Sequence, residues 1–168
     1  MRILSSLLAT VCVLFSLTAF AQSSDARITH TQIVDASADD VWDVVRDLDG
    51  LAQHSSAVAK VEFTGPQGVG GQRVCTAPEG QGYYKESIVG YDDNARTYTY
   101  ALLEGVPVKG MVNSFKVVDL GYRKSMIVWT SNYEAFMKNP QMSEEQFMGF
   151  LKMSIGEIAS NYAAAAAK

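Results

Sequence analysis

Ser143 to Ala167, SEEQFMGFLKMSIGEIASNYAAAAA, sets Phe147, Phe150, Leu151, Ile155, Ile158 and Tyr162 three or four residues apart. That spacing gathers them on one stripe of an α-helix. Ser143 followed by Gln146 forms a capping-box pattern, and Glu144 and Glu145 place acid charge where the helix dipole favours it. Pro140 separates the helix from the chain before it. A helix of about 25 residues cannot bury such a stripe against water, so it needs an apolar partner surface. Between Val58 and Glu134 the chain reads almost entirely as strand and turn, and one curved antiparallel sheet is the partner it offers. The expected shape is a sheet gripping a terminal helix, with room for a pocket between them.

The strands are punctuated at short intervals. Arg27 to Val34 reads as a first strand, and Ser37 with Asp40 opens a short helix carrying Val41, Trp42, Val44 and Val45. Asp47-Leu48-Asp49-Gly50 ends that helix, and Leu51 to His54 adds a second helical turn. Strands follow over Val58 to Thr64, Gln72 to Ala77, Tyr83 to Tyr91, Thr97 to Leu103, Val108 to Asp119 and Lys124 to Glu134, separated by Gly-, Pro- and Asp-rich turns. Short connections between consecutive strands imply antiparallel neighbours. The class is α+β, with the order β-α-α-β6-α and a seven-stranded sheet wrapped around the long C-terminal helix.

At the other end of the chain, Met1-Arg2 precedes an apolar run from Ile3 to Phe20 and an Ala-x-Ala site at Ala19-Phe20-Ala21. This is the pattern of a secretory signal peptide over residues 1–21, and it implies a periplasmic or secreted protein of bacterial type. The mature chain, residues 22–168, suits a single domain with one sizeable core. Arg2 is the one charged residue lost with the signal, so the net charge moves from −4 to −5. That sign argues against nucleic acid and anionic membrane surfaces as partners. Cys12 leaves with the signal and Cys75 remains alone, so no internal disulfide forms, and a buried, inert thiol is the expected state.

Arg73 and Glu86 are the first candidates for chemistry. Alternation places Glu86 on the face of Tyr84 and Ile88, away from Lys85 and Ser87, while Arg73 lies one strand earlier. Side by side on the concave face, a guanidinium would orient the carboxylate and keep it ionised. Such a pair can hold a polar head group or move a proton on a bound substrate. Tyr98 and Tyr100 share one face of their strand. Met111, Asn113, Phe115 and Val117 share a face on the next, whereas the parity of the strand carrying Trp129 and Tyr133 stays open. Rings with a few hydroxyls and an amide suit a mostly apolar pocket with orienting groups. The ligand-binding candidates are therefore Arg73, Glu86, Tyr84, Tyr98, Tyr100, Asn113, Phe115, Trp129 and Phe150. Met137, Met142, Met148 and Met153 cluster near the final helix and add adaptable packing.

Other signals fail. Gly68-Val69-Gly70-Gly71 precedes a strand instead of opening a helix, so it reads as a hairpin turn and not a phosphate loop. His30 and His54 lack metal-ligand spacing, and no Gly-x-Ser-x-Gly elbow occurs. No metal or nucleotide cofactor is indicated.

Five phrases carry a family resemblance across the mature chain: Ala36-Ser37-Ala38-Asp39-Asp40-Val41-Trp42 running to Gly50, Gly68 to Arg73, Lys85-Glu86, Asp92 to Tyr100, and Pro107-Val108. Together they resemble the START and birch-pollen-allergen (SRPBCC) superfamily, in its bacterial polyketide cyclase/dehydrase-like branch. After Gly50 the chain departs, with His54-Ser55-Ser56 where relatives often carry Trp and Pro. The resemblance implies the helix-grip fold and a small hydrophobic ligand between sheet and helix. In plant relatives that rearrange a sulfenic acid, an Arg and a Glu at similar places are implicated in the chemistry. By that analogy Glu86 and Arg73 are candidate catalytic residues of a cyclase, dehydratase or isomerase, a lyase-like alternative to a binding protein. Some signal-bearing relatives assist envelope redox enzymes, which leaves an accessory protein with an envelope partner as a third reading.

Overall fold

The computed structural model describes residues 26–168. The signal peptide, Cys12 and the leader expected over Gln22 to Asp25 lie outside the described residues.

Strand β1, Ile28–Val34, is followed by helix α1, Ala38–Val45. The Ser37 hydroxyl accepts the Asp40 backbone N–H at 3.2 Å, capping α1 where the sequence places its start. Ala38, Val41, Trp42 and Val45 bury the inner face of α1. The second helical turn is a 3₁₀ turn, Gly50–Gln53. Then come β2, Lys60–Thr64, β3, Gln72–Thr76, β4, Tyr83–Asp92, β5, Thr97–Glu104, the short β6, Val108–Lys109, β7, Val112–Gly121, β8, Lys124–Asn132, and the short β9, Ala135–Phe136. Helix α2, Glu144–Ala166, closes the chain. Ser143 and Gln146 form the reciprocal capping box, with bonds of 2.8 and 3.2 Å.

Seven strands form one antiparallel sheet in the order β1-β8-β7-β5-β4-β3-β2. Two register shifts between β4 and β5, at Lys85/Glu86 and Ile88/Gly90, bend it. Alternate residues face the concave side, which α2 covers: Ile155, Ile158 and Tyr162 join α1 and the sheet in the main core. Phe147, at the other end of α2, joins a smaller cluster with Val108, Met111 and Tyr133.

One strand differs from the sequence reading. Val108 to Asp119 is not continuous, because the chain turns out of the sheet at Gly110, whose φ is +66°. A side chain there would be strained by that φ, and its Cβ would lie 2.7 Å from the Glu134 carboxyl carbon. The segment before the break, β6, pairs with β9 in a separate two-stranded ribbon. The parity left open on β8 is resolved: Ser125, Ile127, Trp129 and Ser131 point inward, and Tyr133 just beyond the strand is buried too.

Candidate functional site

Arg73 on β3 and Glu86 on β4 are direct partners in the antiparallel register. Both point to the concave side and are 1% and 6% exposed, so the pair is desolvated. Arg73 Nε donates to Glu86 Oε2, and Nη1 donates to the Leu48 carbonyl at 3.1 Å. The guanidinium carbon lies 4.9 Å from the Tyr100 ring centre and 5.9 Å from that of Tyr98, within cation–π range. Burial works against the Arg73 charge, but the Glu86 carboxylate more than compensates and holds its pKa well above the ordinary value. Arg73 therefore keeps its charge.

The Cys75 thiol lies 3.9 Å from Glu86 Oε2. Burial, and then the adjacent carboxylate, push its pKa up to about 12. A thiol that rarely ionises is a poor nucleophile. Cys75 is thus expected to resist alkylation by iodoacetamide at pH 8 in the native protein and to react at once in denaturant; modification without unfolding would refute this account of its environment.

Beside the pair, an apolar cavity of about 90 Å³ separates the sheet from α2. Glu86 and Tyr84 of β4, Tyr100 and Leu102 of β5, Asn113 of β7 and Trp129 of β8 form its sheet wall. Phe147, Phe150, Leu151, Ser154, Ile155 and Ile158 face it from one stripe of α2, and Leu51 and Ser55 close one side. Trp129 Nε1 donates to the Tyr100 hydroxyl at 3.2 Å, fixing both rings. Burial raises the Tyr100 pKa, so its phenol keeps its proton.

Of the residues singled out in the sequence, Glu86, Tyr84, Tyr100, Asn113, Trp129 and Phe150 border this cavity. Arg73, Tyr98 and Phe115 stand behind it: Arg73 touches it through Glu86, and Tyr98 and Phe115 pack on each other with ring centres 5.4 Å apart. Met137, Met142, Met148 and Met153 do not border it, and Met137 and Met153 are exposed. Cys75, Met111, Leu51 and Ser154 line it without having been picked out as site residues. Cys75 and Met111 carry inward parity, a signal that identifies them once a cavity is known. The departure at His54-Ser55-Ser56 falls on the rim of the cavity, and the fold ties this segment to α2. Glu157 accepts from the Ser56 backbone N–H and hydroxyl at 3.0 and 2.9 Å, and Asn161 donates to the His54 carbonyl at 3.0 Å.

Among the described residues, no three His, Cys, Asp or Glu side chains come together as a metal site, and no helix is long and apolar enough to cross a membrane.

Similar structures share this architecture. The protein XoxI from Bacillus cereus matches with a TM-score of 0.71 at 16% identity, over 82% of this chain and 93% of that one. The Zhui aromatase/cyclase from Streptomyces sp. R1128 matches with a TM-score of 0.64 at 20% identity, over 83% and 89%. Norcoclaurine synthase from Thalictrum flavum, solved with dopamine and hydroxybenzaldehyde, matches with a TM-score of 0.65 at 26% identity, over 82% and 83%. In sequence, no curated protein matches at a significant level. The profile of the family described as polyketide cyclase / dehydrase and lipid transport matches residues 25–160. With the helix-grip fold in place and the profile running from the start of β1 well into α2, the chain belongs to this SRPBCC-type family.

Proposed function

We propose that the protein binds a small, largely apolar molecule between the sheet and α2, with the Arg73–Glu86 pair anchoring its polar end. The observation that carries this reading is a buried carboxylate in the wall of an otherwise apolar cavity: Glu86 lines it while Arg73 neutralises Glu86 from behind. Apolar walls with a few placed polar groups are the general design of small-molecule sites. The family's description, which joins cyclase/dehydrase chemistry with lipid transport, fits a ligand cavity in either role. The protein does this work in the periplasm or outside the cell, after removal of residues 1–21. N-terminal sequencing of the exported protein is expected to begin at Gln22; retention of Met1 would count against it.

The chain has two tryptophans, which makes the binding test direct. Trp129 borders the cavity, whereas the Trp42 indole is held by Asp93 at 2.8 Å outside it. Titration with single-ring compounds should move the Trp129 indole N–H resonance and leave that of Trp42 in place. Equal movement of both, or of neither, would remove the cavity from consideration as the site.

The same pair supports a second reading, an enzyme of cyclase, dehydratase or isomerase type. A buried carboxylate held by a guanidinium is equipped to move a proton on a substrate, with Arg73 stabilising charge that develops beside it. Norcoclaurine synthase, solved with dopamine and hydroxybenzaldehyde, provides a precedent for an enzyme on this fold.

A further inference from the structure

The polar groups around the cavity do not balance. Glu86 Oε2 is committed to Arg73, and the Cys75 thiol approaches the same oxygen. Among the described residues no hydrogen bond reaches the other carboxylate oxygen, Oε1. Asn113 is 3% exposed, and its buried Oδ1 has no hydrogen-bond partner. The Tyr100 oxygen is already occupied by the Trp129 N–H. Glu86, Asn113 and Tyr100 all border the cavity, and no Lys or Arg does.

A buried acceptor without a donor is costly, and native structures supply such groups with a partner. Glu86 Oε1 is such an acceptor, and the Tyr100 hydroxyl, which accepts from Trp129, still has its own proton to donate. We infer that the cavity is built for a neutral, single-ring molecule carrying a hydroxyl or N–H donor, and that it rejects carboxylates; this rests on the ligand-binding reading above. Charge excludes the alternatives. Arg73 and Glu86 already cancel each other, so a ligand carboxylate would add an unmatched negative charge beside Glu86. An ammonium would leave an unmatched positive one. A neutral hydroxyl satisfies Oε1 and can accept from the Tyr100 hydroxyl without adding charge.

Size sets the upper bound. A dry cavity of roughly 150 Å³ holds benzene, and this one is about 90 Å³. A single ring therefore enters only with a modest outward shift of the α2 side chains, and the half-buried Phe150 is placed to give way.

Two probe pairs of matched shape separate the possibilities, with binding to the mature protein followed by the Trp129 indole resonance. Phenol against toluene isolates the donor, and benzamide against benzoate isolates the charge. Phenol is expected to bind about tenfold more tightly than toluene, and benzamide about tenfold more tightly than benzoate. Toluene matching phenol, or benzoate matching benzamide, overturns the inference and leaves the cavity as a binding site. If none of the four moves the Trp129 signal, the binding reading and the inference fall together. Glu86→Gln should narrow the benzamide–benzoate gap, but that change strands Arg73 and can prevent folding. Asn113→Leu avoids this risk. It replaces an unpartnered polar group with an apolar one of similar size, so it is expected to raise the melting temperature while reducing the preference for phenol. A lower melting temperature with that preference intact would make the amide structural and overturn its place in recognition.

Discussion

Arg73→Met is expected to lower the free energy of unfolding by about 3–5 kcal/mol, the usual cost of removing one partner of a buried ion pair. The loss has little to do with the hydrogen bond as such. Arg73 and Glu86 face each other across β3 and β4 at 1% and 6% exposure, so the substitution strands a carboxylate among Tyr98, Tyr100 and Cys75 without a counterion. The Leu48 carbonyl loses its donor as well, which loosens the chain between α1 and the 3₁₀ turn. The double variant Arg73→Met with Glu86→Leu removes both charges and is expected to return to within about 1 kcal/mol of the parent. Urea midpoints for the three proteins provide the check. A double variant no more stable than Arg73→Met would mean that Arg73 acts through packing or the Leu48 bond, and that the pair is not the electrostatic unit described here. A recovered double variant that no longer binds ring compounds would show the pair to be kept for the site, since the fold alone does not need it.

The second large effect falls on the helix side of the cavity. Phe147→Ala should cost about 3–5 kcal/mol, as expected for a fully buried aromatic cut back to its Cβ. Phe147 is 2% exposed and packs edge-on against Tyr133 and near Phe136, so it fastens the first turns of α2 to the β6–β9 ribbon. It also borders the cavity, and its removal enlarges that space. Part of the loss should therefore return when an apolar molecule fills the void, because a ligand that binds only the folded state stabilises it by mass action. Indole or naphthalene, too large for the parent cavity, is expected to raise the melting temperature of Phe147→Ala and leave that of the parent unchanged. If the variant unfolds at the parent temperature, α2 is held by its Ile155–Tyr162 half alone; if it is destabilised but insensitive to these compounds, the void collapses.

Much of this is written in local chemistry. The capping box at Ser143 and Gln146, the cap at Ser37 and the stripe from Phe147 to Tyr162 depend on residues a few positions apart, and the fold has all three. The pairing of Arg73 with Glu86 is nearly as local, because a hairpin with alternating faces brings them into register. Gly110 is not local in this sense. A glycine within an apolar run is compatible with a continuous strand, and the break there comes from the approach of Glu134 and from a pairing partner, Phe136, far along the chain. The inward parity of Trp129 likewise depends on β8 lying between β1 and β7, which its own residues do not specify.

The sequence by itself determined the order of the main elements, the faces of the strands other than β8 and the charge pair at the centre, because a period of two or 3.6 residues and a two-strand hairpin are properties of short segments. Which inward residues border empty space was decided by tertiary structure. Tyr98 and Tyr100 share a face, as do Asn113 and Phe115, yet one of each pair lines the cavity and the other is packed solid behind it. Periodicity specifies the side of a sheet but not the distance to what covers it. That distance follows from how Phe147, Ile155 and Tyr162 seat α2 across seven strands, and from the volume that remains beside Glu86 when they do.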